Sequence, residues 1–211
     1  YENQPDGVVY AGNVLYKYKG EMPEGTSIEI RKGTTCIVGG AFYECKNLIS
    51  ITIPESVTSI GVWAFSNCTN LASITIPGSV TEIGKFAFSS TAWLEKQSDD
   101  IVYAGNVLYK FNIVYKDVTS FEIKKGTTGI AGGAFCFSRY LHSITIPEGV
   151  TEIKEGTFRD CCNIQEFTIP SSVDYIWDGA FAGCSKLRQF KGAFASADGY
   201  SLIVNGSLKA F

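Results

Sequence analysis

The sequence predicts a repeat solenoid, mostly β, in which turns of 23 residues are interrupted by β-hairpin units. The motif L-x-x-I-x-I-P at residues 48–54 returns at 71–77 and again at 141–147, and a related version stands at 164–170. A longer repeat with a period of 93 residues contains these shorter ones. Periods of this kind indicate stacked structural repeats, in which each turn buries its apolar face against the next.

The first element of each turn is predicted to be a strand. Ile51 and Ile53 alternate with Ser50 and Thr52, so the two isoleucines share one face. Pro54 ends the strand because it has no N–H to donate. We expect the isoleucines at these positions to be buried in parallel ladders. They are Ile51, Ile53, Ile74, Ile76, Ile144, Ile146 and Ile169.

The rest of the turn is predicted to hold a second short strand and a return. Residues 56–61 are rich in β-branched side chains and end in glycine, which is typical of a short strand. Residues 62–68 are compact, and we expect one helical or 3₁₀ turn there that fills the interior with Ala64 and Phe65.

A different element separates the blocks of turns. Residues 6–18 recur as 99–111, each with two β-rich runs around a Gly-Asn turn, which is a hairpin signal, and a shorter version follows at 201–211. Both ends of the chain fall within a unit, which favours a piece of a longer protein. We predict one elongated domain over 1–211, with a hairpin unit at 1–25, repeats at 26–96, a hairpin unit at 97–118, repeats at 119–192 and a partial hairpin unit at 193–211.

The chain has seven cysteines, an odd number, so they cannot all pair in disulfides within the chain. Four of them, together with one Thr and one Ser, occupy the slot three residues after the Phe of each unit. We expect small buried side chains there, which donate to a backbone carbonyl of the next turn. Disulfides between turns are the main alternative. The slot holds Cys45, Cys68, Thr91, Ser138, Cys161 and Cys184.

Composition and motifs argue against several classes of function. The net charge is −3 and no long basic run exists, whereas nucleic-acid binding needs concentrated positive charge. No apolar stretch is long enough for a membrane helix. The only histidine, His142, has no partner at metal-ligand spacing, and a Ser/His/Asp triad would also have to use it. We predict no catalytic residue, no metal, no cofactor and no nucleic-acid partner.

Two surfaces are candidate binding sites. The outward positions of the predicted main sheet carry mostly hydroxyl groups, which can hydrogen-bond a protein or glycan, although threonine also suits a solvated strand without any binding role. The candidate residues are Ser50, Thr52, Ser73, Thr75, Ser143, Thr145, Glu166 and Thr168. Aromatic side chains of the hairpins are an alternative contact patch, or else they cover the core. They include Tyr16, Tyr18, Tyr109 and Phe111.

The units resemble the BspA-type leucine-rich repeats of bacterial cell-surface proteins, whose pattern is approximately L-x-x-I-x-I-P-x-x-V-T-x-I-G-x-x-A-F-x-x-C. Residues 48–96 match it nearly letter for letter, and the resemblance covers most of 26–192. It implies a leucine-rich-repeat solenoid at the cell surface or outside the cell, with adhesion to host proteins or other cells. We therefore predict a non-enzymatic binding or adhesion module with a macromolecular partner, either an extracellular protein or a glycan. The alternatives are a structural spacer of a larger surface protein and a carbohydrate-binding module.

Overall fold

The computed structural model describes residues 5–97, 100–113, 118–196, 199, 202–204 and 207–209. The chain divides into two compact units, residues 1–99 and 100–211. That the two form one elongated domain stays a prediction. The Asn205-Gly206 turn expected in the third hairpin lies outside the described residues.

The described part of the first unit contains eight strands and one short helix. They are β1 (Gly7–Ala11), β2 (Val14–Lys19), β3 (Thr26–Glu29), β4 (Cys36–Ile37), β5 (Leu48–Thr52), β6 (Ser59–Ile60), β7 (Ser73–Thr75), β8 (Glu82–Ile83) and α1 (Ala92–Glu95). One sheet has the order β3-β5-β7 and the other the order β1-β2-β4-β6-β8. All neighbouring strands are parallel except the β1–β2 hairpin. The mostly-β repeat solenoid is thus confirmed.

The isoleucine ladder of this unit is covered unevenly. Ile28, Ile51 and Ile74 form one row across β3, β5 and β7. Ile51 and the following Ile53 are buried. Ile74 and Ile76 are only half-buried, so their predicted burial is wrong. The reason is that β7 is the edge strand of its sheet, where the ladder ends.

The return segments are runs of hydrogen-bonded turns, with α1 the only helix among the described residues, so the helical or 3₁₀ turn predicted at 62–68 is wrong. The N–H of Tyr43 donates to Gly40 O in its own turn at 3.0 Å, whereas the N–H of Phe42 donates to Ala64 O of the next turn at 2.8 Å. Left-handed backbone at Gly40 (φ 68°) and Glu44 (φ 60°) sustains this alternation. An α-helix cannot continue through such residues.

Aromatic rings fill the interior of the first unit as a stack with one ring per turn. The rings of Phe42 and Phe65 are 5.3 Å apart and nearly parallel, and those of Phe65 and Phe88 are 5.5 Å apart. Tyr18 of β2 and Trp93 of α1 contact the two ends of this stack. The predicted role of Phe65 in filling the interior is therefore confirmed.

The second unit contains eleven strands among its described residues. They are β9 (Ile101–Ala104), β10 (Val107–Phe111), β11 (Ser120–Glu122), β12 (Gly129–Ile130), β13 (Ser143–Thr145), β14 (Glu152–Ile153), β15 (Glu166–Ile169), β16 (Tyr175–Ile176), β17 (Gln189–Gly192), β18 (Leu202–Val204) and β19 (Ser207–Lys209). They form the sheets β12-β10-β9, β11-β13, β14-β16, β15-β17 and β18-β19. Ile144, Ile146 and Ile169 are buried, as predicted.

Each of the first two hairpins is hydrogen-bonded into the repeats that follow it. Strand β2 pairs in parallel with β4, and β10 pairs in parallel with β12. The second strand of each hairpin thus takes the place that a short strand has in an ordinary turn. In both copies a tyrosine of the first strand adds a link. The hydroxyl of Tyr10 accepts the N–H of Arg31 at 3.0 Å, and that of Tyr103 accepts the N–H of Lys124 at 3.1 Å.

Candidate functional site

The candidate face of the first unit consists of two polar rows across β3, β5 and β7. The register aligns Ser27 with Ser50 and Ser73, and Glu29 with Thr52 and Thr75. All six point away from the isoleucines, and all are exposed except Ser50, which is half-buried. The hydroxyl of Ser50 donates to that of Ser27 at 2.8 Å. The structure therefore brings together the four predicted site residues of this unit.

The corresponding residues of the second unit belong to two separate sheets. Ser143 and Thr145 are exposed on β13, beside β11. Glu166 and Thr168 are exposed on β15, beside β17. The carboxylate of Glu166 pairs with Lys191 Nζ at 2.8 Å, and both side chains are about half exposed. Such an exposed ion pair contributes little to stability.

These faces offer hydrogen-bond donors and acceptors on short side chains, without a convergent set of ionisable groups. A hydroxyl both donates and accepts, so the rows suit amide, hydroxyl or carboxylate groups of a partner. Among the described residues no three His, Cys, Asp or Glu side chains come close enough to hold a metal ion. His142 is exposed, and its Nδ1 lies 3.0 Å from Tyr140 O. That the faces bind a partner stays a prediction.

The alternative hairpin patch does not form as predicted. Tyr109 and Phe111 are buried, with 7% and 4% of their surface exposed. Phe111 packs 4.8 Å from Phe135 and belongs to the internal ring stack of the second unit. In the first unit Tyr16 is exposed, whereas Tyr18 is half-buried and lines a cavity of about 440 Å³. The equivalence of hairpin and turn explains this burial, because the hairpin supplies a ring to the core.

Three cysteines of the slot are buried thiol donors, whereas Cys45 is only half-buried, so its predicted burial is wrong. Cys68 Sγ donates to Phe42 O at 2.9 Å. Equivalent bonds join Cys161 to Phe135 at 3.2 Å and Cys184 to Phe158 at 3.0 Å. In each case the acceptor lies in the preceding turn. The prediction of an acceptor in the next turn is therefore wrong. All seven cysteines are free thiols.

Burial sets the acidity of Cys68 and of its neighbour Cys45. It raises the pKa of Cys68 to about 12, with a further rise from the neighbouring Cys45. Burial also raises the pKa of Cys45 to about 11. A thiol with such a pKa is protonated and unreactive at neutral pH. Cys45 and Cys68 are therefore structural thiols.

The return segments carry a group of exposed aromatic side chains that the sequence did not predict. Trp63, Phe86 and Tyr43 have 52%, 47% and 47% of their surface exposed. Trp63 and Phe86 stand where other repeats have glycine. This difference is visible in the sequence and could have identified them. No helix within the described residues has the length and apolar character required to cross a membrane.

Parallel strands stacked at a 23-residue step, with an internal phenylalanine stack, define a leucine-rich-repeat protein. The family model of the BspA type leucine rich repeat region matches residues 18–99 and 108–196 in six copies. The chain belongs to this family. No curated protein sequence matches it.

Several solved structures are similar to this chain. The leucine rich repeat protein of T. pallidum is 22% identical over 84% of this chain, with a TM-score of 0.36. A leucine-rich repeat protein from Bacteroides ovatus is 24% identical over 92%, with a TM-score of 0.42. A leucine rich cell surface protein from Faecalibacterium prausnitzii is 24% identical over 81%, with a TM-score of 0.35. The alignments span 62%, 56% and 66% of those chains.

Proposed function

We propose that this chain is a non-enzymatic binding module of a surface or secreted bacterial protein, and that its outward sheet faces contact an extracellular macromolecule. The observation that supports this most is that the two faces of a strand have separate roles, one in the core and one in contact with solvent. In β5, Ile51 is buried in the stack while Thr52 is exposed on the other face. The outward residues can therefore vary without cost to the fold, as a recognition surface requires.

The face of the first unit is the stronger candidate. Its two rows extend over three paired strands, so that a partner meets several hydroxyls at fixed spacing. Neighbouring strands are about 4.8 Å apart. Short serine and threonine side chains lose little conformational entropy when they are immobilised. Glu29 at one end of a row adds a single exposed carboxylate.

The test is a double substitution, Thr52→Lys with Thr75→Lys, probed on an array of extracellular matrix proteins and glycans. Both positions are exposed, so the variant should fold while capture of a partner falls strongly. Thr58→Lys is the matched control, because Thr58 is exposed outside this sheet. A partner retained equally by both variants would contradict this choice of face. A native chain that captures nothing on the array would favour the structural spacer.

A further inference from the structure

Two large aromatic residues occupy a backbone slot that other repeats give to glycine. The slot lies two residues before the buried phenylalanine of each turn and is left-handed in all six copies. Its φ values are 68° at Gly40, 56° at Trp63, 61° at Phe86, 75° at Gly133, 65° at Gly156 and 70° at Gly179. Glycine adopts this conformation freely, whereas a residue with a side chain does so at a cost of about 1–2 kcal/mol.

Burial of the two side chains is incomplete. About half of the surface of each ring is in contact with solvent, 52% for Trp63 and 47% for Phe86. Apolar surface left in water contributes nothing to folding. Strained backbone residues cluster at functional sites, and large exposed rings at such residues point to a contact surface.

The two rings belong to consecutive turns and stand in register. The N–H of Trp63 donates to Lys85 O at 3.2 Å, one residue before Phe86. Gly40 holds the same slot in the preceding turn. A Cβ placed on Gly40 would lie 3.9 Å from Tyr43 Cβ, so Tyr43 extends the surface by one more turn. The aromatic platform consists of Tyr43, Trp63, Phe86 and Lys85.

The platform carries one positive charge. Lys85 Nζ lies 4.9 Å from the centre of the Phe86 ring, a cation–π contact. Lys85 forms no ion pair with any residue in the described part of the chain. Polar groups stand at the other end, where Asn67 Nδ2 donates to the Tyr43 hydroxyl at 3.4 Å. An uncompensated cation beside exposed rings is complementary to a ligand that has both an anionic group and an apolar face.

We propose that the aromatic platform binds an acidic glycan, a chain of pyranose rings that carries carboxylates. The apolar faces of the sugar rings stack on Trp63 and Phe86, a carboxylate pairs with Lys85, and hydroxyls bond to Tyr43 and Asn67. A peptide strand is less suitable, because the backbone groups here already bond between turns, as Gly40 N–H does with Val62 O at 2.9 Å. The platform lies on the return segments and not on the sheet, so this site is independent of the proposed function.

The test uses an array of oligosaccharides that contain uronic or sialic acid, printed beside neutral ones. We expect the native chain to bind at least one acidic glycan, and expect Trp63→Gly and Lys85→Gln each to weaken this binding roughly tenfold or more. Added salt should weaken binding by the native chain more than by Lys85→Gln. Trp63→Gly should fold, because four other copies hold glycine at this slot. If it does not fold, Trp63→Asn replaces it, since asparagine also tolerates left-handed backbone.

Phe137→Asn is the matched control. Phe137 is also left-handed (φ 64°), 58% exposed and close to a cation, Arg139, but it belongs to the second unit. Glycan binding should survive this change, and it should survive Thr52→Lys with Thr75→Lys. Failure to bind any acidic glycan, or equal binding by Trp63→Gly, overturns the proposal. Trp63-dependent capture of acidic peptides alone would also overturn it, in favour of a protein ligand.

Discussion

Ile51 and Ile74 occupy the same place in consecutive turns, yet only Ile51 has a neighbouring strand on both sides. Ile51 is 1% exposed, whereas Ile74 at the edge of the sheet is half-buried. The stability that one residue contributes therefore depends on where its turn stands in the stack. The local sequence is nearly the same at Ile51 and Ile74, so it does not determine this contribution.

Replacement by alanine should separate the two positions. Ile51→Ala removes methylene groups and leaves a cavity, and should lower the free energy of unfolding by about 2–5 kcal/mol. Ile74→Ala should cost about 1–2 kcal/mol, because its side chain is partly in contact with water already. Urea unfolding followed by circular dichroism measures both. Equal losses would show that the stack does not end at β7.

A second prediction at this scale concerns pH. The pKa of the buried Cys68 thiol rises from 9.0 to about 12 in the folded chain. The folded state then holds its proton more tightly, so its contribution to stability is complete below pH 9 and is lost as the pH rises toward 12. Cys68→Ser has no thiol to titrate, and its stability should fall less steeply over this range. Parallel pH profiles of the two proteins would contradict the assignment.

At the scale of elements, the hairpins act as modified turns. Strands β2 and β10 pair in parallel with the next repeat, and each hairpin adds a tyrosine bond to a backbone N–H. A lost hydrogen bond of this kind costs about 1 kcal/mol. Each hairpin should therefore be coupled in stability to the repeat that follows it.

The coupling is tested by Tyr103→Phe, which removes the acceptor for the Lys124 N–H and nothing else of note. We expect a loss of about 1 kcal/mol and faster hydrogen exchange at Lys124. Tyr140→Phe serves as a control in the same unit and should change stability by less than about 0.5 kcal/mol. Unchanged exchange at Lys124 in Tyr103→Phe would disprove the link.

Strands and core positions could be predicted because periodicity encodes them directly. The return segments could not, since a compact run such as 62–68 has a helical composition and reveals no left-handed residues. Trp63 at φ 56° is an example, because its conformation is imposed by hydrogen bonds to the next turn and not by its own propensity. Interactions between turns thus override local preference there.

At the scale of the whole molecule, the repeat fold followed from the sequence more completely than the site. Thr52 and Thr75 stand where the period-2 pattern places them. The pattern could not show that Phe111 is buried, because that depends on the hairpin replacing part of a turn. Nor could it show that Trp63 is exposed, since an aromatic residue in a hydrophobic repeat is ordinarily assigned to the core.

The central claim is that stability comes from stacked, interchangeable turns of 23 residues. Deletion of residues 51–73 tests it most directly, because it joins Ser50 to Ile74 and restores the motif L-I-S-I-T-I-P in register. We predict that this variant unfolds cooperatively, with a lower midpoint and a β-rich circular dichroism spectrum. Deletion of residues 51–62, about half a turn, should abolish the cooperative transition. If both deletions unfold the chain equally, or both are tolerated equally, the stacked-turn account is wrong.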